Sequence, residues 1–215
     1  MKTLKNVACS IIILLLSIQK NDAQTYNGRI VILFTDTLEG KITVNLTGEN
    51  KGMVYLEKST TTKTKNKKEK ISATTTEKIG YNPAIISALL IDDKVYKFKD
   101  LRNDYTDGNN LENCCVEKIA GNDSIAILQW ADKNGVISYY TTTPRFNDYA
   151  ENIEHPKYDD GGFKSFAAIK FSRCKSLGDK IYNKEEGYFY ENKTASLNEK
   201  LQVWKNIIRD YIACW

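Results

Sequence analysis

The residues able to do acid–base or nucleophilic chemistry are few and scattered in this chain. Its single histidine, His155, precedes Pro156 in a polar stretch, and a Ser-His-Asp or Cys-His set would need all its other members to meet there. We therefore predict a solvated loop histidine and no catalytic residues. The sequence contains no GxSxG, P-loop or dinucleotide-binding glycine pattern. No pair of acids stands out for glycoside cleavage.

Patterns for metal binding are equally weak. A zinc site is not indicated, because the chain has no Cys-x-x-Cys and no second histidine. Residues 103–108 resemble the start of a calcium loop, but Tyr105 and Cys114 stand where oxygen ligands are needed. Residues 159–162 form an acidic stretch too short to specify an ion. We predict no metal and no cofactor.

The cysteines are more informative. Cys114, Cys115, Cys174 and Cys214 follow the N-terminal region, and four cysteines allow three pairings among which sequence does not choose. Cys174 lies late in one predicted helix and Cys214 at the end of another, so a short return could bring them together. We favour this bridge, which would close a loop of about 40 residues and stabilise the fold by roughly 4 kcal/mol.

Cys114 and Cys115 are adjacent, so on a strand their side chains point to opposite faces. We expect at most one of them to face the core. A vicinal disulfide, a bridge to the C-terminal cysteine pair and two free thiols are all open alternatives.

Residues 1–24 have the pattern of a cleavable signal peptide. Lys2 and Lys5 precede an apolar block over residues 7–18, and the small residue Ala23 follows it. The block is about 12 residues long, shorter than the roughly 20 that cross a bilayer as a helix. An uncleaved anchor is the alternative. We predict an exported protein (periplasmic, cell-surface or extracellular) with no stable transmembrane anchor after cleavage.

Composition agrees with an ordinary globular protein, with 27% charged and 41% hydrophobic residues. The formal net charge of +4 falls to about +2 once the predicted leader is removed, too little to predict nucleic-acid binding. Thirteen tyrosines and many threonines favour β structure.

The pattern over residues 25–143 predicts an antiparallel β domain. A β-branched and aromatic run over 26–34 is followed by alternating apolar residues at Ile42, Val44 and Leu46, which predicts a hairpin turning at 35–37. Residues 59–70 have no apolar member and predict a solvated loop or a hairpin tip. Further strands are predicted at 114–120, 124–130 and 136–142, as a meander.

Residues 144–162 are polar and irregular and predict a linker loop. Residues 163–215 then predict two helices, the first over 163–177 with Gly178 as its stop. The second begins at Ser196, with Glu199 completing a capping box. The predicted fold class is α+β: a mostly antiparallel β domain (sheet, sandwich or partly open barrel) followed by a C-terminal helical tail packed on it.

Several segments resemble exported proteins of unknown function from Bacteroidota. The similarity lies in Gly28–Val31 with Asp36–Ile42, in Tyr81-Asn82-Pro83 with Lys94–Tyr96, and in the Cys174–Ile181 and Tyr211–Cys214 segments of the tail. These proteins open with a "GYI…GDTIxGxI" hairpin and end in a cysteine-containing helical tail. The resemblance implies a compartment and an architecture, and it brings no established activity.

The sequence leaves the function open, and we expect a non-catalytic cell-envelope protein with a binding or structural role. Its partner would be a protein or a glycan, contacted by exposed aromatic side chains at Tyr139, Tyr140, Tyr188 and Tyr190. Two alternatives are a secreted or periplasmic hydrolase acting on glycan or peptide, and an inhibitor or immunity-type protein.

Overall fold

The computed structural model of the chain describes residues 23–33, 37–65, 70–104, 107–144, 146–158 and 162–215. Residues 1–22 of the predicted leader lie outside the described residues, as do residues 35 and 36 of the predicted first turn. The predicted α+β class is confirmed: a β-rich domain is followed by a helical segment that packs against it.

Ten strands form one sheet with the order β10-β9-β8-β7-β6-β5-β1-β2-β3-β4, in which neighbours are antiparallel. The strands are β1 Gln24–Ile32, β2 Thr37–Val44, β3 Val54–Lys65, β4 Lys70–Tyr81, β5 Ile86–Ile91, β6 Lys94–Arg102, β7 Leu111–Gly121, β8 Ala126–Ala131, β9 Ile137–Thr143 and β10 Phe146–Asn152.

The sheet divides at β6. The start of β6 pairs with β5, whereas Asp100–Arg102 at its end pair in parallel with Tyr149–Glu151 of β10. Strands β6 to β10 therefore close into a five-stranded ring. Strands β1 to β5 continue away from it, and we call them the wing. Residues 97–99 of β6 lie between the last residue that pairs with β5 and the first that pairs with β10, and we call this stretch the fork.

Local chemistry explains the hairpins that build the wing. Asp92 and Asp93 both have positive φ, 48° and 63°, as a two-residue type I′ turn between β5 and β6 requires. Gly28 and Gly40 face each other across β1 and β2. A Cβ on either would lie 2.4 Å from a backbone oxygen, of Leu90 or of Glu57, so these strands approach closely only because both residues are glycine.

Three buried clusters hold the fold together. The wing core lies inside the curled wing and includes Ile30, Ile42, Leu56, Leu89, Ile91 and Cys115. The ring core fills the ring and includes Leu101, Cys114, Val116, Leu128, Tyr140 and Ala150. The helix core lies between the ring and the helices and includes Ile127, Phe163, Phe171, Tyr190, Trp204 and Tyr211. Strand β7 contributes side chains to all three cores.

The polar segment predicted as a loop or hairpin tip is the distal part of the β3–β4 hairpin. Strands β3 and β4 pair without a break from Val54–Tyr81 to Lys65–Lys70, and residues 66–69 lie outside the described residues. Strand β2 reaches β3 only at Tyr55–Glu57, so the hairpin extends beyond the sheet. Hydroxyl pairs such as Thr61–Thr74, at 3.2 Å, link its two strands.

The prediction of a linker over residues 144–162 is wrong. This segment contains β10 and a short 3₁₀ helix, Pro156–Tyr158. Strand β10 is an integral part of the ring, where Ala150 and Glu151 are buried. It lacks the β-branched alternation that would have revealed a strand, and its place depends on its partners β6 and β9.

Three helices follow rather than the two predicted: α1 Gly162–Lys170, α2 Lys175–Tyr182 and α3 Leu197–Ala213. The expected helix over 163–177 is broken by a turn at Phe171–Cys174. Gly178 does not stop it and lies within α2. The capping box of α3 is confirmed, since the Ser196 hydroxyl accepts a hydrogen bond from the Glu199 backbone N–H at 3.2 Å.

The predicted bridge between Cys174 and Cys214 is confirmed. The two residues form a disulfide with a Cα–Cα separation of 6.0 Å and a sequence separation of 40. It fixes the start of α2 to the end of α3 beside the helix core. Within the described residues, none of the helices has the length and apolar character needed to cross a membrane.

The other two cysteines correct the expectation that at most one faces a core. Cys114 and Cys115 are both free and both buried, with 0% and 1% of their surface exposed. They do point to opposite faces of β7. Because the ring core covers one face and the wing core the other, neither thiol reaches solvent.

Candidate functional site

Two of the four tyrosines predicted to form a binding surface are buried. Tyr140 and Tyr190 are buried, and their hydroxyls donate to Asn103 Oδ1 at 2.8 Å and to the Ile153 carbonyl at 2.7 Å. Tyr139 and Tyr188 are half-buried and pack against the helix core. The prediction of exposed aromatic side chains is therefore wrong for Tyr140 and Tyr190, because Tyr140 lies in the ring core and Tyr190 lies in the helix core.

The Tyr188 hydroxyl belongs to an ionic cluster that joins α2 to α3. It donates to Asp210 Oδ2 at 2.5 Å, and Lys180 Nζ lies 2.9 Å from the same oxygen. Hydrogen bonds from Tyr188, Lys180 and Arg209 hold the pKa of Asp210 at about 2, although burial acts in the opposite direction. The cluster links the two helices.

His155 is buried, with 4% of its surface exposed, which corrects the prediction of a solvated loop histidine. Its Nδ1 accepts a hydrogen bond from the Lys157 backbone N–H at 3.1 Å. Burial, together with the Lys157 charge, lowers the pKa of the imidazole. A neutral imidazole held in this way supports the chain turn after β10 and is not presented to a substrate.

A second buried ionic cluster lies between the end of β10 and α1. The Glu151 carboxylate contacts Lys157 Nζ and lies 3.6 Å from Lys170 Nζ, while Tyr158 donates to it at 3.3 Å. Burial lowers the pKa of Lys170 to about 8. Perturbed lysines often mark active sites, but Lys170 Nζ also donates to Thr143 Oγ1 at 3.0 Å and packs over the Phe166 ring. This cluster joins the sheet to the helices.

A concave site lies at the fork. A cleft of about 530 Å³ is lined by four consecutive residues of β6, Lys97–Asp100, and on its other side by Ile86 and Ser87 of β5. Successive side chains of a strand point to opposite faces. A cavity on one face of a strand would contact alternate residues only. A cavity lined by four consecutive residues therefore lies along the edge of that strand. We call this cavity the fork cleft.

The register of the β5–β6 hairpin determines what β6 presents to the fork cleft. Its two-residue turn makes Ile91–Lys94 the closing hydrogen-bonded pair, and such pairs alternate along an antiparallel ladder. The N–H and C=O of Lys94, Tyr96 and Phe98 thus point away from β7. In the described part of the chain, neither β5 nor β10 pairs with Phe98 on this edge.

Two irregularities in strand pairing flank the cleft. The β1–β5 register shifts between Val31 and Ile32, and the β6–β7 register shifts between Lys99 and Leu101. Bulges of this kind redirect strands and are frequent beside functional sites. Leu33 and Asp100, each beside one of these shifts, both line the cleft.

The rim of the fork cleft carries charges of both signs. Lys97 Nζ lies 2.5 Å from Asp123 Oδ1, and Lys118 Nζ lies 3.8 Å from the same oxygen. The hydrogen bond from Lys97 lowers the pKa of Asp123, and the charges of Lys118 and Lys99 act in the same direction. Asp100 adds a second carboxylate, whose Oδ1 accepts from the Asn113 N–H at 2.9 Å. Leu33, Pro83, Ile86 and Phe98 supply apolar surface between these charges.

A shallower cleft of about 490 Å³ continues from the first and shares Pro83 and Asn113 with it. Two of its asparagine side chains stabilise the local backbone. The Asn82 side chain accepts a hydrogen bond from the Ala84 N–H at 2.9 Å, and Asn50 Nδ2 donates to the Asn45 carbonyl. Together the two clefts form a groove across the junction of the wing and the ring.

The chemistry of this groove suits binding. Its lining contains lysines, carboxylates and amides but no histidine or cysteine. Across the described ranges, no three His, Cys, Asp or Glu side chains are grouped so that they could share a metal ion. No sequence pattern marks Lys97, Phe98 or Asp123 as site residues, because the fork exists only once β10 joins β6.

Comparison of the chain with protein-family models, with curated proteins and with solved structures finds no match.

Proposed function

We propose that this protein is an exported, non-catalytic binding protein of the cell envelope and that the fork cleft is its binding site. The observation that carries the proposal is the cleft itself, a cavity along an open strand edge with apolar walls and a rim that carries charges of both signs. Export is supported by the N-terminal sequence pattern, by the resemblance to exported Bacteroidota proteins and by the Cys174–Cys214 disulfide, a bond typical of oxidising compartments.

Filling the cleft tests this function. Ala84 lines the fork cleft and its side chain is exposed, so Ala84→Trp would fill the cavity without entering a core. Thr75→Trp, on the exposed part of β4, adds the same side chain away from the cleft. The measurement is cosedimentation of each purified mature chain with envelope fractions of a Bacteroidota host, after thermal unfolding has shown that all three are folded.

We expect wild type and Thr75→Trp to be retained equally and Ala84→Trp to lose at least tenfold in retention. Equal retention of all three proteins would overturn the proposal. N-terminal sequencing of the protein secreted by the same host tests export separately, with a mature start near Thr25 expected.

A further inference from the structure

We infer that the occupant of the fork cleft is an extended peptide segment of a partner protein, which adds to the open edge of β6 at Phe98. This inference rests on the proposed function and specifies its ligand. The register of the β5–β6 hairpin directs one N–H and one C=O of Phe98 away from β7 and towards the cleft, and in the described part of the chain neither β5 nor β10 pairs with this residue. An extended peptide can accept a hydrogen bond from this N–H and donate one to this C=O, as a neighbouring strand would.

The size of the gap agrees with a short extended segment. Strand β5 leaves β6 after the Leu89–Tyr96 pair, and β10 joins it at the Tyr149–Asp100 pair. Three residues of β6 lie between these points. A strand rises about 3.3 Å per residue, so the open edge is roughly 10 Å long. A peptide of three or four residues would occupy it, with its flanking residues reaching the neighbouring groove.

The side chains of the cleft favour a peptide over the other classes of ligand. Among the lining residues, Lys97 and Lys99 are matched by Asp100 and Asp123, and Lys118 beside Asp123 adds one positive charge, too little to attract a polyanion. The aromatic residue among the lining residues is Phe98, whose ring is partly buried against the wing core and so offers a sugar only part of its surface. The apolar surface between the charges suits a peptide side chain flanked by polar ones.

The experiment uses a displayed library of random eight-residue peptides, panned against the wild-type mature chain and against Ala84→Trp. We expect peptides that are enriched on wild type and lost on Ala84→Trp. The most enriched peptide, made synthetically, should slow hydrogen exchange of the Phe98 amide at least tenfold. Methylation of one of its backbone nitrogens should reduce its affinity at least tenfold, because strand pairing needs that N–H.

Two substitutions on β6 form a matched comparison. Lys97 contacts Asp123 on the rim, whereas Lys94 makes a similar ion pair with Glu117 at 2.8 Å outside the cleft. Lys97→Gln should change the peptide affinity at least threefold, and Lys94→Gln should leave it unchanged.

Equal enrichment on wild type and Ala84→Trp would overturn the inference, and so would tight binding with no protection of Phe98. A glycan array probed with the same proteins separates the two proposals. Oligosaccharide binding that Ala84→Trp abolishes would refute the peptide and preserve the binding site. Envelope binding that is insensitive to Ala84→Trp would refute the site itself.

Discussion

Glu151 at the end of β10 and Lys170 at the end of α1 form a buried ionic contact, with 3.6 Å between the carboxylate Oε2 and Nζ. Each side chain is less than a tenth exposed. Lys157 and Tyr158 also face this carboxylate, and Thr143 accepts from Lys170. The contact fixes the helices to the sheet, and its lysine is held in an environment that disfavours its charge.

Stability should therefore depend on pH through Lys170. Its pKa in the folded protein is about 8, against about 10.4 for an unfolded lysine. Between these values the unfolded chain binds a proton that the native chain has released, so the Lys170 contribution to stability rises with pH. Below pH 8 the penalty for a buried charge is constant.

The difference between wild type and Lys170→Met isolates this effect. The buried Cys114 and Cys115 thiols have raised pKa values and act in the opposite direction above about pH 8.5, but they do so equally in both proteins. From pH 7 to pH 10, the unfolding free energy of wild type should gain about 1–2 kcal/mol relative to the variant. Urea denaturation at each pH measures it, and parallel curves would contradict the prediction.

Removing the disulfide should be costly. It closes a 40-residue loop, for which the chain-entropy model gives roughly 4 kcal/mol of stabilisation. We expect the Cys174→Ser/Cys214→Ser double variant to lose about 2–4 kcal/mol in urea denaturation. Wild type treated with a reducing agent should behave like this variant. A loss below about 1 kcal/mol would show that the bridge constrains little.

Cys114 and Cys115 should be unreactive in the native protein. Burial is the main cause that raises the pKa of Cys114 to about 12 and that of Cys115 further still, so almost no thiolate forms at neutral pH. A chromogenic thiol reagent should label no cysteine in the folded mature chain and both of these once the chain is unfolded in urea. Fast labelling of either residue without denaturant would mean that β7 is not covered on both faces.

Tyr190 offers a test of the helix core. Its hydroxyl donates to the Ile153 carbonyl and accepts from Trp204 Nε1 at 3.1 Å. Tyr190→Phe would leave both buried groups without this partner and should lower the unfolding free energy by about 1–3 kcal/mol. Tyr182→Phe is the control, because Tyr182 is 58% exposed and its change should stay within about 0.5 kcal/mol. Similar losses for the two variants would refute the role given to the Tyr190 hydroxyl.

Local patterns in the sequence predicted local structure well. The Ser196–Glu199 capping box marks the start of α3, and the alternation at Ile42 and Val44 marks β2, with both side chains in the wing core. The bridge of Cys174 to Cys214 followed from the placement of both residues near helix ends.

Features that depend on residues distant in the sequence could not be predicted from local patterns. Strand β10 is polar, and its strand conformation depends on pairing with β9 and with β6, the latter about 50 residues away in the sequence. His155 follows β10 directly, and the fork cleft lies where β10 joins β6, so both depend on the placement of this strand. No pattern within a single segment encodes it, so the candidate site could not be found before the fold was known.

Strand β7 separates the ring core from the wing core and also supplies Ile119 and Ala120 to the edge of the helix core. Displacement of β7 would therefore remove packing contacts from all three clusters at once. We expect cooperative unfolding because the three clusters share one strand, so none of them can unfold while the other two keep all their contacts. The wing, the ring and the helical tail should melt in a single transition, and a fragment that ends before β7 should not fold.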